Sequence, residues 1–243
     1  MNSDQSEIFC RSAGTTHVGA VRARNEDAFL DEQENRLWVV ADGMGGHDAG
    51  DVASGLLIEH LHGLTGNTID AVEQAVLDAV ANADAAMQEW ICSAKSPRGM
   101  GSTIAMLAIR HRQCVCVWAG DSRIYRLRAG ALRRLTHDHS EVQELIDAGI
   151  IDNDAGETHP ARNIITRAVG AGGSRAPDAR RYNVESDDCF LLCSDGLNGV
   201  VRDAEIAEVM QAGDPEDIVQ ALLHLSLTRS VSDNVTIVAV NAC

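Results

Sequence analysis

The chain has 243 residues, of which 45% are apolar, and it carries a formal charge of −16. This length and composition allow a substantial buried core, whereas the charge disfavours nucleic acid as a partner, because a polyanion binds to a basic face. No apolar run approaches the length of a membrane span and no signal-like stretch opens the chain, so we expect a cytoplasmic protein without membrane contact.

Short apolar runs alternate with helical patterns along the chain. Strands are predicted from the apolar runs at 36–42, 102–110, 114–121, 123–130, 189–195 and 234–240. Two helices are predicted after a glycine-rich turn, the second with one apolar stripe from Ile69 to Trp90, and two more at 203–211 and 215–228. Because strands come in runs and helices in pairs, we expect antiparallel sheets covered by helices.

The stretch at 147–178 differs from its surroundings because it is rich in glycine and contains two prolines, Pro160 and Pro177. This composition predicts a mobile, loop-rich excursion. No repeat or linker is found, so we predict a polar tail at 1–7 followed by a single domain at 8–243.

Seven cysteines are present, at positions 10, 92, 114, 116, 189, 193 and 243. None of them has the paired C-x-x-C spacing of a zinc site, and free cysteine is commonly a small core residue. We therefore expect reduced, structural thiols, as is usual in the cytoplasm.

Four aspartates stand where a predicted strand starts or ends: Asp42, Asp121, Asp195 and Asp233. If the strands are neighbours, the carboxylates converge, and two carboxylates about 5 Å apart repel by roughly 3 kcal/mol at an effective dielectric constant near 20. Such a cluster requires cations or raised pKa values, and ligands that are all oxygen favour Mg²⁺ or Mn²⁺ over zinc. A single Asp-Gly after a strand is usually a turn, so the spacing alone leaves both interpretations open.

The glycine-rich segment "VVADGMGGHDAGDVAS" at 39–54 has the small residues of a phosphate-binding loop. Asp51 stands where a nucleotide-binding Walker loop needs its lysine, so that interpretation is rejected. The segment "DNDAGE" at 152–157 resembles the start of a calcium loop, but Asn163 replaces the acid of its twelfth position, so a turn is predicted.

Eight short motifs follow one another along the chain: "HVGAVRARNED" at 17–27, "ADGMGGH" at 41–47, "GMGSTI" at 99–104, "AGDSRIYRL" at 119–127, "LTHDHSEV" at 135–142, "RNIITRAVG" at 162–170, "LLCSDGL" at 191–197 and "DNVT" at 233–236. In this order they resemble the metal-dependent Ser/Thr protein phosphatases, the PPM or type 2C family, in their compact bacterial form. The resemblance implies an α+β fold, a four-layer αββα sandwich of two antiparallel β-sheets flanked by pairs of helices. The stretch at 147–178 is then a loop-rich flap within one catalytic domain.

The resemblance also implies two Mn²⁺ or Mg²⁺ ions, with a possible weaker third. Asp42 would bridge the two metals, the Gly43 carbonyl would bind one of them, and Asp195 and Asp233 would hold the other. Asp121 matches the position of a third metal.

Three further residues match positions around the metals. Glu26 and Asp27 match acids that reach the metals directly or through water. Arg22 matches the arginine that holds the substrate phosphate, for which a planar guanidinium is well suited.

The mechanism implied by the resemblance is direct attack on phosphorus by a water that bridges the two metals. His47 is the nearest candidate acid for the leaving group, and metal-bound water is the alternative donor. The sequence departs from the family at Met44, where animal members carry histidine, and at Asp51, where relatives often have glutamate. His137 and His139 match a structural turn rather than ligands.

These features predict a protein serine/threonine phosphatase, a monomer that acts on phosphorylated proteins and opposes a bacterial-type Ser/Thr kinase. Two alternatives stay open: a pseudophosphatase that binds phosphoproteins without turnover, and a metal-dependent phosphatase for small phosphate esters. The presence of Asp42, Asp195 and Asp233 together favours an enzyme. In either case, protein or small ester, the part of the substrate beyond the phosphate would be recognised by the excursion at 147–178.

Overall fold

The computed structural model describes residues 8–45, 49–94, 99–172, 176–211 and 213–243. The strands of these segments are β1 (Cys10–His17), β2 (Asp27–Glu32), β3 (Leu37–Gly45), β4 (Met100–Ser102), β5 (Ile104–Arg110), β6 (Gln113–Ala119), β7 (Arg123–Arg128), β8 (Ala131–Arg134), β9 (Asp178–Asn183), β10 (Cys189–Cys193) and β11 (Val235–Ala242). The helices are α1 (Gly50–Leu61), α2 (Ile69–Ala94), α3 (Glu141–Asp147), α4 (Asn153–Glu157), α5 (Asp195–Asn198), α6 (Asp203–Met210) and α7 (Pro215–Thr228).

Two antiparallel sheets form the centre of the fold. The first has the strand order β1-β11-β10-β7-β8, and the second has the order β2-β3-β5-β6-β9, with β4 paired to the end of β3. In the first sheet the two chain ends meet, because β1 pairs with β11 along its whole length.

The two faces of each sheet pack against different layers. In β3, Val39 and Ala41 pack in one core with α1 and α2, whereas Trp38 and Val40 pack in a second core between the sheets. This alternation follows the two-residue period of an extended strand. A third core joins the other sheet, through Ile237 of β11 for example, to α6 and α7. The predicted four-layer αββα sandwich is therefore confirmed.

Besides β4, which lies almost wholly before the run predicted at 102–110, the strands that the sequence patterns did not predict are β1, β2, β8 and β9. The last four share one feature. Each of them lies at an edge of its sheet. Edge strands bury less side-chain surface than central strands, so their sequences carry a weaker apolar signal; β9 reads "DARRYN" and is largely exposed. The run predicted at 102–110 is also divided at Thr103, whose amide donates to the Asp42 carbonyl of β3 between the pairings of β4 and β5.

The helical predictions agree with the structure more closely. α2 buries the predicted stripe, including Val72, Val76 and Met87, and α7 begins at Pro215 as predicted. The short helices α3, α4 and α5 were not predicted, since each is too brief to show a helical period. Within the described part of the 147–178 stretch, α4 is the one helix or strand that lies wholly inside it. Other residues of the stretch contact neighbouring segments through isolated β-bridges, such as that between Ile165 and Ser140.

All seven cysteines lie in described segments and are free thiols, five of them buried, whereas Cys92 and Cys243 are exposed. Among the described helices, none combines the length and apolar character that a membrane span requires.

Candidate metal centre

Four chain segments at one end of the sheets bring the predicted aspartates together. Asp42 lies near the end of β3, Asp121 follows β6, Asp195 is the first residue of α5 after β10, and Asp233 precedes β11. These four residues line one cavity of about 260 Å³, together with Gly43, Arg22 and Glu26. The apolar strands thus end at a common rim, which is the convergence that the sequence predicted.

Asp27 lies directly behind this cavity. It is opposite Asp42 in the β2–β3 pairing and is 8% exposed. Its Oδ2 accepts hydrogen bonds from the Ser194 and Thr236 hydroxyls, at 2.8 and 2.7 Å, whereas its Oδ1 is buried and has no partner within the described residues. An unpartnered buried carboxylate oxygen is costly, so this atom indicates a missing cation or water.

Burial and mutual repulsion raise the pKa values of these carboxyls. Burial, followed by the charges of neighbouring carboxylates, raises the pKa of Asp195 to about 6 and that of Asp121 to about 8, and the pKa of Asp42 lies well above its usual range. Burial raises the pKa of Asp27 to about 7, against the hydrogen bonds from Thr236 and Ser194. Without cations the cluster therefore retains protons near neutral pH, which is the behaviour expected of a site built for positive charge.

Arg22 and Glu26 lie on the solvent side of the cavity. Arg22 Nη2 donates to Asp233 Oδ2 at 2.7 Å, and its side chain is 52% exposed. That hydrogen bond is the largest cause of the raised pKa of Arg22. Burial raises the pKa of Glu26, and Arg22 opposes the rise. Arg22 is therefore a cation already held among carboxylates at the open side of the site.

Two glycines allow the backbone to close around the site. A side chain at Gly43 would overlap the carbonyl oxygens of Gly50 and Glu26, and one at Gly50 would overlap the Glu26 carboxylate. The end of β3 and the start of α1 can therefore approach each other only without Cβ atoms. The Gly43 amide also donates to the Glu26 carbonyl at 3.1 Å, which fixes the acidic loop against β3.

Asn234 is a site residue that sequence reasoning missed. Its Nδ2 donates to the carbonyls of Val18 and Arg24, at 3.0 and 2.9 Å, and its Oδ1 accepts from the Glu26 amide at 2.8 Å. It thereby ties the segment that carries Arg22 and Glu26 to the start of β11. The sequence feature that could have identified Asn234 is its position directly after Asp233 in the motif "DNVT".

Hydroxyl residues supply a second missed layer around the aspartates. The Thr103 hydroxyl accepts from the Asp42 amide at 3.0 Å and lies 2.7 Å from the Ser122 hydroxyl. The Ser194 and Thr236 hydroxyls, by contrast, donate to the Asp27 carboxylate. Isolated serines and threonines are too common in sequences to identify such a role, which depends on which strands become neighbours.

The donor set fits hard divalent cations. It consists of carboxylate oxygens and lacks cysteine and histidine, and both Asp27 and Asp195 have a buried Oδ1 without a partner in the described segments. In those segments no three acidic, histidine or cysteine side chains already surround one point, and Asp233 is paired with Arg22. The residues fit Mg²⁺ or Mn²⁺ by the chemistry of their oxygen donors.

The remaining candidates lie away from the cavity or outside the described residues. His47, the predicted acid, falls in the segment 46–48, which is outside the described residues. His137 bonds to Asp147, and His139 stacks on Trp118 and accepts from the Gly120 amide, so both contact structural neighbours. Cys193 is buried in the core, and burial raises the pKa of its thiol to about 12, which does not suit a nucleophile.

The family model for protein phosphatase 2C matches residues 13–227, and the chain belongs to this family. PstP of Mycobacterium tuberculosis, a serine/threonine protein phosphatase, is 36% identical over 232 residues, and the match covers 95% of this chain and 45% of PstP. The chain thus spans about half the length of this curated relative. Protein phosphatase PhpP of Streptococcus pneumoniae is 33% identical, with 93% of this chain and 95% of PhpP covered.

Solved structures agree with this assignment. PppA of Pseudomonas aeruginosa, described as a key regulatory component of T6SS, superposes with a TM-score of 0.90 at 42% identity, covering 97% of this chain and 98% of that one. The catalytic domain of PstP in complex with two manganese ions superposes with a TM-score of 0.86 at 32% identity, covering 97% and 99%.

Proposed function

We propose that this chain is a metal-dependent protein serine/threonine phosphatase that hydrolyses phosphoserine and phosphothreonine. The observation that carries the proposal is the convergence of Asp42, Asp121, Asp195 and Asp233 on one cavity, with two buried carboxylate oxygens left unpartnered. The phosphatases of the same family, one of them solved with two manganese ions, support it.

In this proposal Asp42, Asp195, Asp233 and the Gly43 carbonyl hold two Mn²⁺ or Mg²⁺ ions. Asp121 contributes to a weaker third site, and Glu26 and Asp27 act directly or through water. When bound, such cations supply Lewis acidity that lowers the pKa of the attacking water and neutralises phosphoryl charge.

Arg22 would bind the substrate phosphate. Its guanidinium is half exposed at the mouth of the cavity, and within the described residues its ion pair is with Asp233. When it is not paired with Asp233, the planar fork of Arg22 would bind two phosphoryl oxygens. It would then stabilise the negative charge that spreads over these oxygens in the transition state.

The chemistry needs no protein nucleophile. Cys193 is buried in the core, which supports direct hydrolysis over a phosphocysteine route. His47 stays a proposal as the proton donor to the leaving serine or threonine.

The proposed partners are phosphorylated proteins and a bacterial-type Ser/Thr kinase whose products the enzyme removes. We also propose that the protein is cytoplasmic, because its seven free thiols suit a reducing compartment. We further propose that it is a monomer. Light scattering on the purified chain checks the oligomeric state.

The test is release of phosphate from phosphothreonine peptides at increasing Mn²⁺. We expect metal-dependent turnover that falls at least 100-fold in Asp42→Asn, because this carboxylate would be one of the ligands that hold the metal ions. Glu208→Gln, an exposed change on α6, is the control and should keep full turnover. Metal binding and phosphopeptide binding without turnover would indicate a pseudophosphatase, whereas turnover of aryl phosphates alone would indicate a small-ester phosphatase.

A further inference from the structure

A second, larger cavity of about 720 Å³ opens from the candidate metal centre. It shares Asp121, Asn163, Asp195 and Asp233 with the metal cavity, so the two form one continuous depression. One bank is formed by residues of the 153–163 stretch, and the other by residues 196–203 after β10. A polypeptide with its phosphorylated residue at the metals would extend into this cleft.

The two banks each carry an exposed arginine. Arg162 on one bank donates from Nη1 to the Glu157 carbonyl, and Arg202 on the other lies at the start of α6. In the described part of the chain neither forms an ion pair with a carboxylate. Glu205 of α6 is held by both terminal nitrogens of Arg229, at 2.9 and 2.6 Å. These hydrogen bonds are the largest cause of its lowered pKa, and the charge of Arg202 adds a smaller contribution.

Other described arginines without an ion pair, such as Arg110 and Arg133, lie outside this cleft, so Arg162 and Arg202 are distinguished by their position. The chain as a whole has 36 acidic against 20 basic residues. Ion pairs in the described segments hold Arg11, Arg22, Arg123, Arg128, Arg134, Arg167, Arg181 and Arg229. Two guanidinium groups without an ion pair in the described residues, on opposite banks of one cleft, can therefore bind a negatively charged group of another molecule.

Several acids of the cleft are engaged by other groups. Asp138 accepts from both Arg123 and Arg134, and Asp203 accepts from the Tyr125 hydroxyl at 3.0 Å. Asp121, Asp195 and Asp233 belong to the metal centre. Two exposed carboxylates are described along the cleft: Glu157 on the bank of Arg162, and Asp203 next to Arg202.

We propose that this cleft selects substrates with an acidic residue beside the phosphorylated one, and that Arg162 and Arg202 bind its carboxylate. The inference rests on the proposed function and adds the class of peptide that the site prefers. The preference works against the charge of −16 of the whole chain, which repels acidic peptides at long range. Local recognition by paired arginines would give specificity that the global charge does not provide.

The test uses phosphothreonine peptides that are identical except for glutamate or glutamine, placed in turn at each flanking position, with saturating Mn²⁺. For at least one position we expect kcat/KM to be about 3- to 10-fold higher with glutamate, the range of one or two exposed ion pairs. The ratio should approach one in the double variant Arg162→Gln/Arg202→Gln and fall by an intermediate amount in each single variant. It should rise in Glu157→Gln, which removes a competing carboxylate.

Arg133→Gln is the matched control, because Arg133 is exposed on β8 and lies outside the cleft. It should keep the wild-type ratio, and the ratio should shrink as salt is raised, since exposed charges are screened. Equal turnover of glutamate and glutamine peptides at every position overturns the proposal, as does a preference that survives in the double variant or is lost equally in Arg133→Gln. If the wild type hydrolyses neither the glutamate nor the glutamine peptides, the proposed function itself fails.

Discussion

Replacing Asp195 with asparagine should stabilise the metal-free protein while removing its activity. Asp195 is among buried carboxylates, its Oδ1 has no partner in the described segments, and burial raises its pKa from 3.8 to about 6. At about 1.4 kcal/mol per pKa unit, this rise corresponds to about 3 kcal/mol of destabilisation when the group is ionised. Because the charge is shared with neighbouring carboxyls and partly reaches solvent, we expect the variant to gain ~1–3 kcal/mol at about pH 8.

The direction of the pKa shift determines how the stability gain of Asp195→Asn depends on pH. A carboxyl whose pKa is higher in the folded state favours folding while it is protonated, and this contribution is lost as pH rises from about 4 through about 6. The gain from Asp195→Asn should therefore be near zero below about pH 4 and reach its full value above about pH 7.

Urea unfolding with a chelator, at acidic and at alkaline pH, measures this gain. Glu208→Gln on α6 is the control and should change stability little at either pH. Saturating Mn²⁺ should reverse the order, because a ligand at 100 times its Kd stabilises the wild type by about 2.7 kcal/mol and the variant by less. A variant that is less stable than the wild type at alkaline pH without metal, or a gain that is equal at both pH values, would refute the reasoning.

Three further substitutions test a glycine and an asparagine beside the site and a histidine away from it. Gly196→Ala should lower stability by about 2 kcal/mol or more and impair turnover, because its Cβ would overlap the Asn234 carbonyl, whereas Gly55→Ala, with open space around it, should be neutral or stabilising in thermal unfolding. Asn234→Ala removes three hydrogen bonds that hold the Glu26 segment, so kcat/KM should fall more than about 10-fold, and a full-activity variant would contradict this role. Burial lowers the pKa of His139, so stability should fall as pH drops below about 6.5; His139→Phe should lose that slope in urea titrations, and an unchanged slope would argue against it.

The residue patterns alone predicted antiparallel sheets covered by helices, and the resemblance to a family added the four layers and the expected roles of the site residues. Central strands such as β3 and β5 are buried on both faces, so their apolar runs were visible without neighbours, and long helices such as α2 showed their stripe. The aspartates could be identified because each stands where an apolar strand starts or stops, and the ordered motifs predicted the family, which the comparison confirms.

Tertiary structure decided which residues support and surround that site. The edge strands β1, β2, β8 and β9 are defined by pairing with a neighbour rather than by their own periodicity. Asn234 and the hydroxyls of Ser194 and Thr236 acquire their roles only when distant segments are brought together, at separations of up to 216 residues. The same holds for the cleft, because Arg162 and Arg202 share a cavity only once the 153–163 stretch faces the turn after β10. Local sequence carries the propensity to form strands and helices, but hydrogen bonds and charge partners depend on distances that only folding establishes.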